Sequence, residues 1–542
     1  MSGITDSEEW RQLSTLRDGL TGRRLADFFS ADSQRAAIYS TAAAGVFLDI
    51  SRQQLDGDVL HALFALLEAR GFDAARDALW RGENVNHTEN RPALHMALRG
   101  EPGDGIGDAE TERLVEEERA RLFALADSVR SGSWQAPGGT RFEHVIHVGI
   151  GGSHLGPALA IDVLDAAHFD PDGPKIHFVS TTDPGSLKRL MQQLPRDRTL
   201  LVLVSKSFTT AETRLNGNTL IDWLADGSDR ETVIRQQVVG VSANTAAMDD
   251  AGISREHQLH MPEWAGGRYS LWSSVGLPVA LRHGSAAFQE LLEGARAMDR
   301  HFHSAEPRQN IPLLLALVGI WNINFHDAQS HAVLPYSEAL AKLPAYLQQL
   351  EMESNGKRVD RAGHTVDYRT APIIWGGVGM NGQHAFFQQL HQGTGWVPMD
   401  FILVGGPDHG LHEQHNCLLA NSLAQAEALM HGREEALVRT EEGDGKLLPY
   451  RVFPGNRPST TLLVDELDAR RLGVLLAMYE HKVFAQSVIW NLNPFDQFGV
   501  ELGKQIAKRL EPVLAGNASA PDDCDPATRQ LLERLGKARS ER

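Results

Sequence analysis

Cysteine is nearly missing from this chain. Only Cys417 and Cys524 occur in 542 residues, far apart and outside any Cys-x-x-Cys pair. That pattern excludes a disulfide framework and a thiolate zinc site, and low cysteine use fits a reducing cytoplasm. Long apolar runs are missing too. The longest, IPLLLALVGIW from Ile311 to Trp321, falls short of the roughly 20 residues a membrane span needs and reads as a buried helix. The N-terminal MSGITDSEEW is acidic and polar, without the basic and apolar segments of a secretory signal. There is no basic excess: 52 Lys and Arg face 70 Asp and Glu, a net charge of −18. This balance excludes a nucleic-acid coat or a membrane-surface protein, because both partners are anionic. It does not exclude a small anionic substrate. Charges beyond about 8 Å are screened at physiological salt, so a phosphate responds to its immediate neighbours.

Nucleotide and metal signatures are also absent. The chain has no G-x-x-x-x-G-K-[ST]. Its VGIGGSHLG loop departs from G-x-G-x-x-G at His154, and no acidic residue closes the βα unit that follows. H-E-x-x-H is absent. Asp408, His409, His412, Glu413 and His415 cluster, but histidines at i, i+3 and i+6 span too much of a helix for a compact facial site. Neither cofactor nor metal is expected.

What is present is globular. The composition is 42% hydrophobic and 23% charged, and at about 150 residues per domain the length allows three to four units. To about Ala136 the pattern is helical. Leu60, Leu63, Phe64, Leu67 and Phe72 keep a period near 3.6, and Glu110 to Val129 form an amphipathic helix that QAPGGT ends. Runs rich in β-branched residues then alternate with helix-like stretches: 144–150, 176–184, 199–207 and 238–244. A second series follows, with helices over 310–325 and 337–353, a strand at 371–377, a helix at 381–393 and a strand at 399–406. Alternating strands and helices predict an α/β fold with parallel sheets covered on both faces. After about Pro512 the chain becomes a polar tail with one amphipathic piece around Leu531 to Leu535.

In open α/β sheets, ligands sit at the carboxyl ends of the strands. The run at 199–207 enters SKSFTTAET (205–213), where five hydroxyls and Lys206 gather at a predicted helix N-terminus. A Ser/Thr cap accounts for one hydroxyl and not for five. Free N–H groups, the helix dipole and the hydroxyls together fit a phosphate monoester.

Seven segments in order carry a family resemblance: VGIGGSHLGP (148–157), SKSFTTAET (205–213), GGRYSLWSSVGLP (266–278), EMESNGK (351–357), NGQHAFFQQLHQGT (381–394), GNRPS (455–459) and FDQFGVELGKQIAK (495–508). The chain resembles the glucose-6-phosphate isomerases over nearly its whole length. The resemblance implies two sugar-isomerase (SIS) αβα sandwich domains, over 116–285 and 286–512. An N-terminal helical region over 1–115 and a C-terminal arm over 513–542 complete the expected chain. It further implies a cytoplasmic homodimer without metal that interconverts glucose 6-phosphate and fructose 6-phosphate. A related isomerase for mannose 6-phosphate or an amino sugar, or a non-catalytic sugar-phosphate sensor, would share parts of this pattern.

Moving a carbonyl from C1 to C2 takes a proton from one carbon and returns it to the next, and one base can do both. A carboxyl brought toward neutrality by burial suits the task. Glu353 is the candidate, on the predicted helix PAYLQQLEME, with Gln349 four residues earlier on its face. Glu351 cannot share that face, so only one of the two carboxylates points to the site. Arg268 resembles the cation that stabilises the enediolate. His391 and Lys504 match the family's ring-opening pair; the sequence itself does not choose between His391 and His384, seven residues earlier on the same predicted helix. Lys504 follows Gln497 by seven positions on one predicted helical face. The remaining expected substrate contacts are Gly152, Ser153, Ser205, Lys206, Ser207, Thr210, Gln349 and Gln497. In the family, the histidine matching His391 serves the neighbouring subunit. His154 stands where the family commonly has Asp, Ser207 replaces a Thr, and Gly377, Val378 and Met380 depart from an EPGT-like turn.

Overall fold

The computed structural model describes residues 3–168, 170–406, 410–442 and 445–540. The chain divides into two compact units, Met1–Phe495 and Asp496–Arg542.

The first unit holds two sheets. One contains five parallel strands in the order β4(Lys175–Val179), β3(His144–Val148), β5(Thr199–Val204), β6(Val238–Ser242), β7(Gln258–His260). Every residue of β5 and β6 is buried, which is why these segments read as continuous apolar runs and not as alternation. The other sheet has six strands in the order β1(Ser40–Ala43), β2(Val46–Asp49), β11(Ser459–Val464), β10(Met399–Val404), β8(Ser330–Pro335), β9(Ile373–Gly376). Its last four strands are parallel, while β1 and β2 form a hairpin whose second strand runs antiparallel to β11.

That hairpin corrects the purely helical reading of the first residues. The turn Ala44–Gly45, both with positive φ, closes a two-residue hairpin loop. The strands are only four residues long, too short to show a period. The N-terminal region therefore donates an edge to the second sheet. The helix expected over 337–353 is also divided. It runs as a turn at Glu338–Leu340, a helix at Leu343–Leu347 and a π-turn at Gln348–Glu353. The helix expected over 381–393 breaks into Gly379–Gln383 and Phe387–Gln392, so His384 and His391 do not lie on one helix.

Two long helices form the spine, Leu277–Ser304, broken at Gly284, and Ala469–Ile489. Their buried charges are paired. Arg99 is 1% exposed; it donates to both carboxyl oxygens of Asp299 at 2.7 and 2.6 Å and to Glu480 at 2.5 Å. The indole of Trp272 donates to the other Glu480 oxygen at 2.8 Å. Burial pushes the Glu480 carboxyl up to about 7 despite the guanidinium beside it. Among the described residues, no helix is long and apolar enough to cross a membrane.

In the second unit, the helix Glu501–Leu514 runs across the expected boundary at 512/513, and a further helix follows at Pro526–Ser540.

Removing Arg99 would leave two carboxylates without their cation in the core. Arg99→Leu is expected to destabilise the fold by about 3–5 kcal/mol, read as a lower midpoint in urea. A loss below 1 kcal/mol would show that this cluster does not hold the spine.

Candidate active site

Strands β3, β5 and β7 are parallel, so their carboxyl ends open on one edge. Three loops leave from that edge. The first is the glycine loop. After β3 the chain turns at Gly151, with φ 58°, and enters the helix Gly152–Ala167. A Cβ on Gly152 would lie 1.9 Å from the Gly267 carbonyl oxygen and 2.8 Å from the Arg268 nitrogen. A Cβ on Gly151 would lie 3.0 Å from the Gln349 amide nitrogen. The glycines are there because the Arg268 loop and the Gln349 segment press against this turn. Ser153 is half-buried, and its carbonyl accepts a hydrogen bond from the His147 ring at 2.7 Å.

The second loop follows β5. Ser205 is buried, and its hydroxyl shares a 2.8 Å hydrogen bond with that of Thr210. Thr210 stands at the N-cap of the helix Ala211–Ala225, yet its side chain makes no capping hydrogen bond to the first N–H groups. The single-cap alternative therefore fails at this terminus, whose first N–H groups have no partner within the helix. Ser207 accepts from the Thr209 hydroxyl at 2.8 Å. The Lys206 ammonium donates to the carbonyls of Glu263 at 2.6 Å and Ala265 at 3.1 Å. Burial, and then Arg91 nearby, push it down to about 8. Lys206 thus joins the second loop to the third.

The third loop carries Arg268 in the turn Gly267–Tyr269. Its Nε donates to the Ser354 hydroxyl at 2.6 Å, and its NH2 donates to the Pro494 carbonyl. Its NH1 stands 3.4 Å from Glu353 Oε2. The Arg268 side chain is 1% exposed and that of Glu353 is 20% exposed, so the carboxylate is the more accessible of the two. Gln349 donates to the same Glu353 oxygen at 2.9 Å. Glu351 points the other way, is buried and pairs with Lys482 at 2.6 Å.

The fold thus brings together Gly151, Gly152, Arg268, Gln349 and Glu353, with Ser205, Lys206 and Thr210 tied in through the carbonyls before Arg268. Sequence reasoning missed Ser354, Tyr269 and Pro494. Tyr269 shares a 3.0 Å hydrogen bond with Ser354, and these three hold the guanidinium. Ser354 lies within the EMESNGK segment, but only its contact across the fold reveals the role. His391 is half-buried, its Nε2 is 2.8 Å from the Gln425 amide oxygen, and its ring meets Phe453 edge-on. Gln425 lies on the helix His412–His431, which packs on β10 of the second sheet. Lys504 is exposed on the helix Glu501–Leu514 of the second unit. Gln497 precedes that helix in a non-helical conformation, so the two do not share one helical face. His154 packs edge-on against Phe178, and burial lowers its basicity. Asp408 and His409 lie outside the described residues.

Anion binding favours the charged form of Lys206. Its depressed basicity means that the folded protein without ligand releases this proton as pH rises through about 8. Sulfate, which does not itself titrate in this range, is expected to bind about five- to tenfold more weakly at pH 9 than at pH 7. Calorimetric titration checks this, and Lys206→Met should flatten the dependence. An unchanged slope in that variant would contradict the assignment.

A family model for phosphoglucose isomerase matches residues 49–532. The glucose-6-phosphate isomerase of Burkholderia orbicola is 46% identical over 535 residues, covering 98% of each chain, and that of Burkholderia pseudomallei is 46% identical over 538 residues with the same coverage. Among solved structures, a glucose-6-phosphate isomerase from Chlamydia trachomatis superposes with a TM-score of 0.86 at 33% identity, covering 99% of this chain and 100% of that one. A hypothetical protein from Thermus thermophilus is 25% identical, with a TM-score of 0.61 over 86% of this chain and all of that one. With a buried arginine and its carboxylate packed against a glycine loop, and with matches over nearly its full length, the chain belongs to the phosphoglucose isomerase family.

Proposed function

We propose that this protein interconverts glucose 6-phosphate and fructose 6-phosphate by ring opening and proton transfer through a cis-enediol. The observation that carries this reading is the partly exposed Glu353 carboxylate, held between the Gln349 amide and the Arg268 guanidinium. The phosphate lies against the uncapped N-terminus of Ala211–Ala225, with Ser205, Lys206, Ser207 and Thr210 around it. Glu353 removes the proton from C2 of the open chain and returns it to C1. Arg268 faces the oxygens that become negative in between, and its anchors fix it before the charge develops, so little reorganisation is needed then. Gln349 keeps the carboxylate oriented. Gly152 and Ser153 line the glycine-loop side.

Ring opening is assigned to His391 and Lys504, with Gln497 as a further substrate contact. We further propose a homodimer in which His391 completes the neighbouring subunit's site. Its position over the second sheet, with Gln425, supports that reading, as does the likeness of the whole chain to its relatives. A charged sugar phosphate does not cross membranes unaided, so a cytoplasmic location accords with this substrate.

Glu353→Gln is expected to lower turnover about 10³-fold in a coupled assay; retention of a tenth of wild-type turnover would remove Glu353 from the role of base. Subunit sharing has its own test. Refolding inactive E353Q together with inactive H391N creates mixed dimers in which one site carries both lesions and the other none. If His391 serves its neighbour, about a quarter of wild-type activity returns; if each site uses its own histidine, none does.

A further inference from the structure

Glu351 and Glu353 stand two residues apart on the π-turn Gln348–Glu353 and face opposite ways. A π-turn is an uncommon register, and without an anchor such a segment relaxes toward the α-helix. One residue of slippage turns every side chain by about 100°, which would carry the Glu353 carboxylate away from Arg268 and Gln349.

Besides the Ser354 contacts with Arg268 and Tyr269 and the Lys357 contacts with the Glu353 and Ser354 carbonyls, two anchors on this segment come from the spine helix Ala469–Ile489. On the N-terminal side of Glu353, the Lys482 ammonium donates to Glu351 Oε2 at 2.6 Å. Both side chains are at most 3% exposed. The other oxygen of Glu351 is buried with no hydrogen-bond partner among the described residues, so Lys482 is what compensates this charge. On the C-terminal side, the amide of buried Asn355 donates to the Val483 carbonyl at 2.9 Å. Adjacent spine residues therefore grip the segment two residues before and two residues after Glu353. Around Lys482 the spine is itself fixed. The Tyr479 ring lies 6.0 Å from its ammonium, and the Tyr479 hydroxyl donates to Asp400 at 3.0 Å.

A buried ion pair rarely adds net stability over well-packed apolar residues of the same volume. What this pair supplies is direction. We propose that Lys482 is a positioning residue for Glu353, acting through Glu351 to hold the π-turn in the register that points the base at the substrate. This inference rests on Glu353 being the base.

The test compares variants of the full-length enzyme, each measured as turnover per folded molecule. Glu351→Leu with Lys482→Met replaces the pair by apolar groups of similar volume. The double variant is expected to fold, to keep its KM for fructose 6-phosphate within about threefold because the phosphate loop is untouched, and to lose about 50-fold or more in kcat. A merely structural pair would lower the melting temperature and leave kcat of the folded protein unchanged; kcat within twofold of wild type would overturn the proposal. A second comparison does not depend on that variant folding. Glu351→Gln keeps an acceptor for Lys482 and is expected to stay within about tenfold of wild type, whereas Glu351→Ala is expected to fall at least tenfold below it. Equal kcat in these two variants would also overturn the proposal. Wild-type enzyme and E353Q run alongside. An inactive wild type or an active E353Q would refute the base itself, and neither outcome resembles a failure confined to Lys482.

Discussion

The site depends on a charge held almost entirely out of water. Arg268 keeps 1% of its side chain exposed, and a guanidinium in that position is stable only if its donors are matched. Ser354, Pro494 and Glu353 match three of them, and they come from two distant segments, 353–354 and Pro494. This requirement accounts for much of the surrounding design. The glycine loop has no side chain at 152 because the Arg268 turn occupies that space. Ser354 follows Glu353 at once because one segment supplies both the anchor of the cation and the carboxylate that faces it.

The Lys206 contact extends the same logic to the phosphate loop. Its ammonium spans from β5 to the carbonyls of Glu263 and Ala265, just ahead of Arg268. The groups that would receive the phosphate and the groups that would handle the proton are thereby linked through a few residues of backbone. The net charge of −18 is compatible with this because the cations that matter are local and partly or wholly desolvated.

The strands that build the site edge were legible where burial on both faces makes a continuous apolar run, as in Thr199–Val204 and Val238–Ser242. They were not legible where the run is short or carries polar residues, as in Gln258–His260 and in the Ser40–Asp49 hairpin, whose pairing with β11 is set by contacts hundreds of residues away. The opposition of Glu351 and Glu353 followed from their spacing alone. The π-turn did not, because a local hydrogen-bond register leaves no trace in hydrophobic periodicity. Nor did the break between His384 and His391, where Phe386 and Phe387 continue the apolar pattern through a change of helix. The hydroxyl cluster at 205–213 pointed to an anion through composition, but that the terminus lacks a side-chain cap is a fact of geometry.

The central claim of the proposed mechanism is that one carboxylate, pinned by Arg268 and Gln349, takes a proton from C2 and delivers it to C1. The most direct measurement follows glucose 6-phosphate deuterated at C2 and locates the label in the fructose 6-phosphate formed early in the reaction. A single base exchanging slowly with water predicts that part of the deuterium appears at C1 and the rest in the solvent. Complete retention at C1 under all conditions, the signature of a hydride shift, would contradict the account.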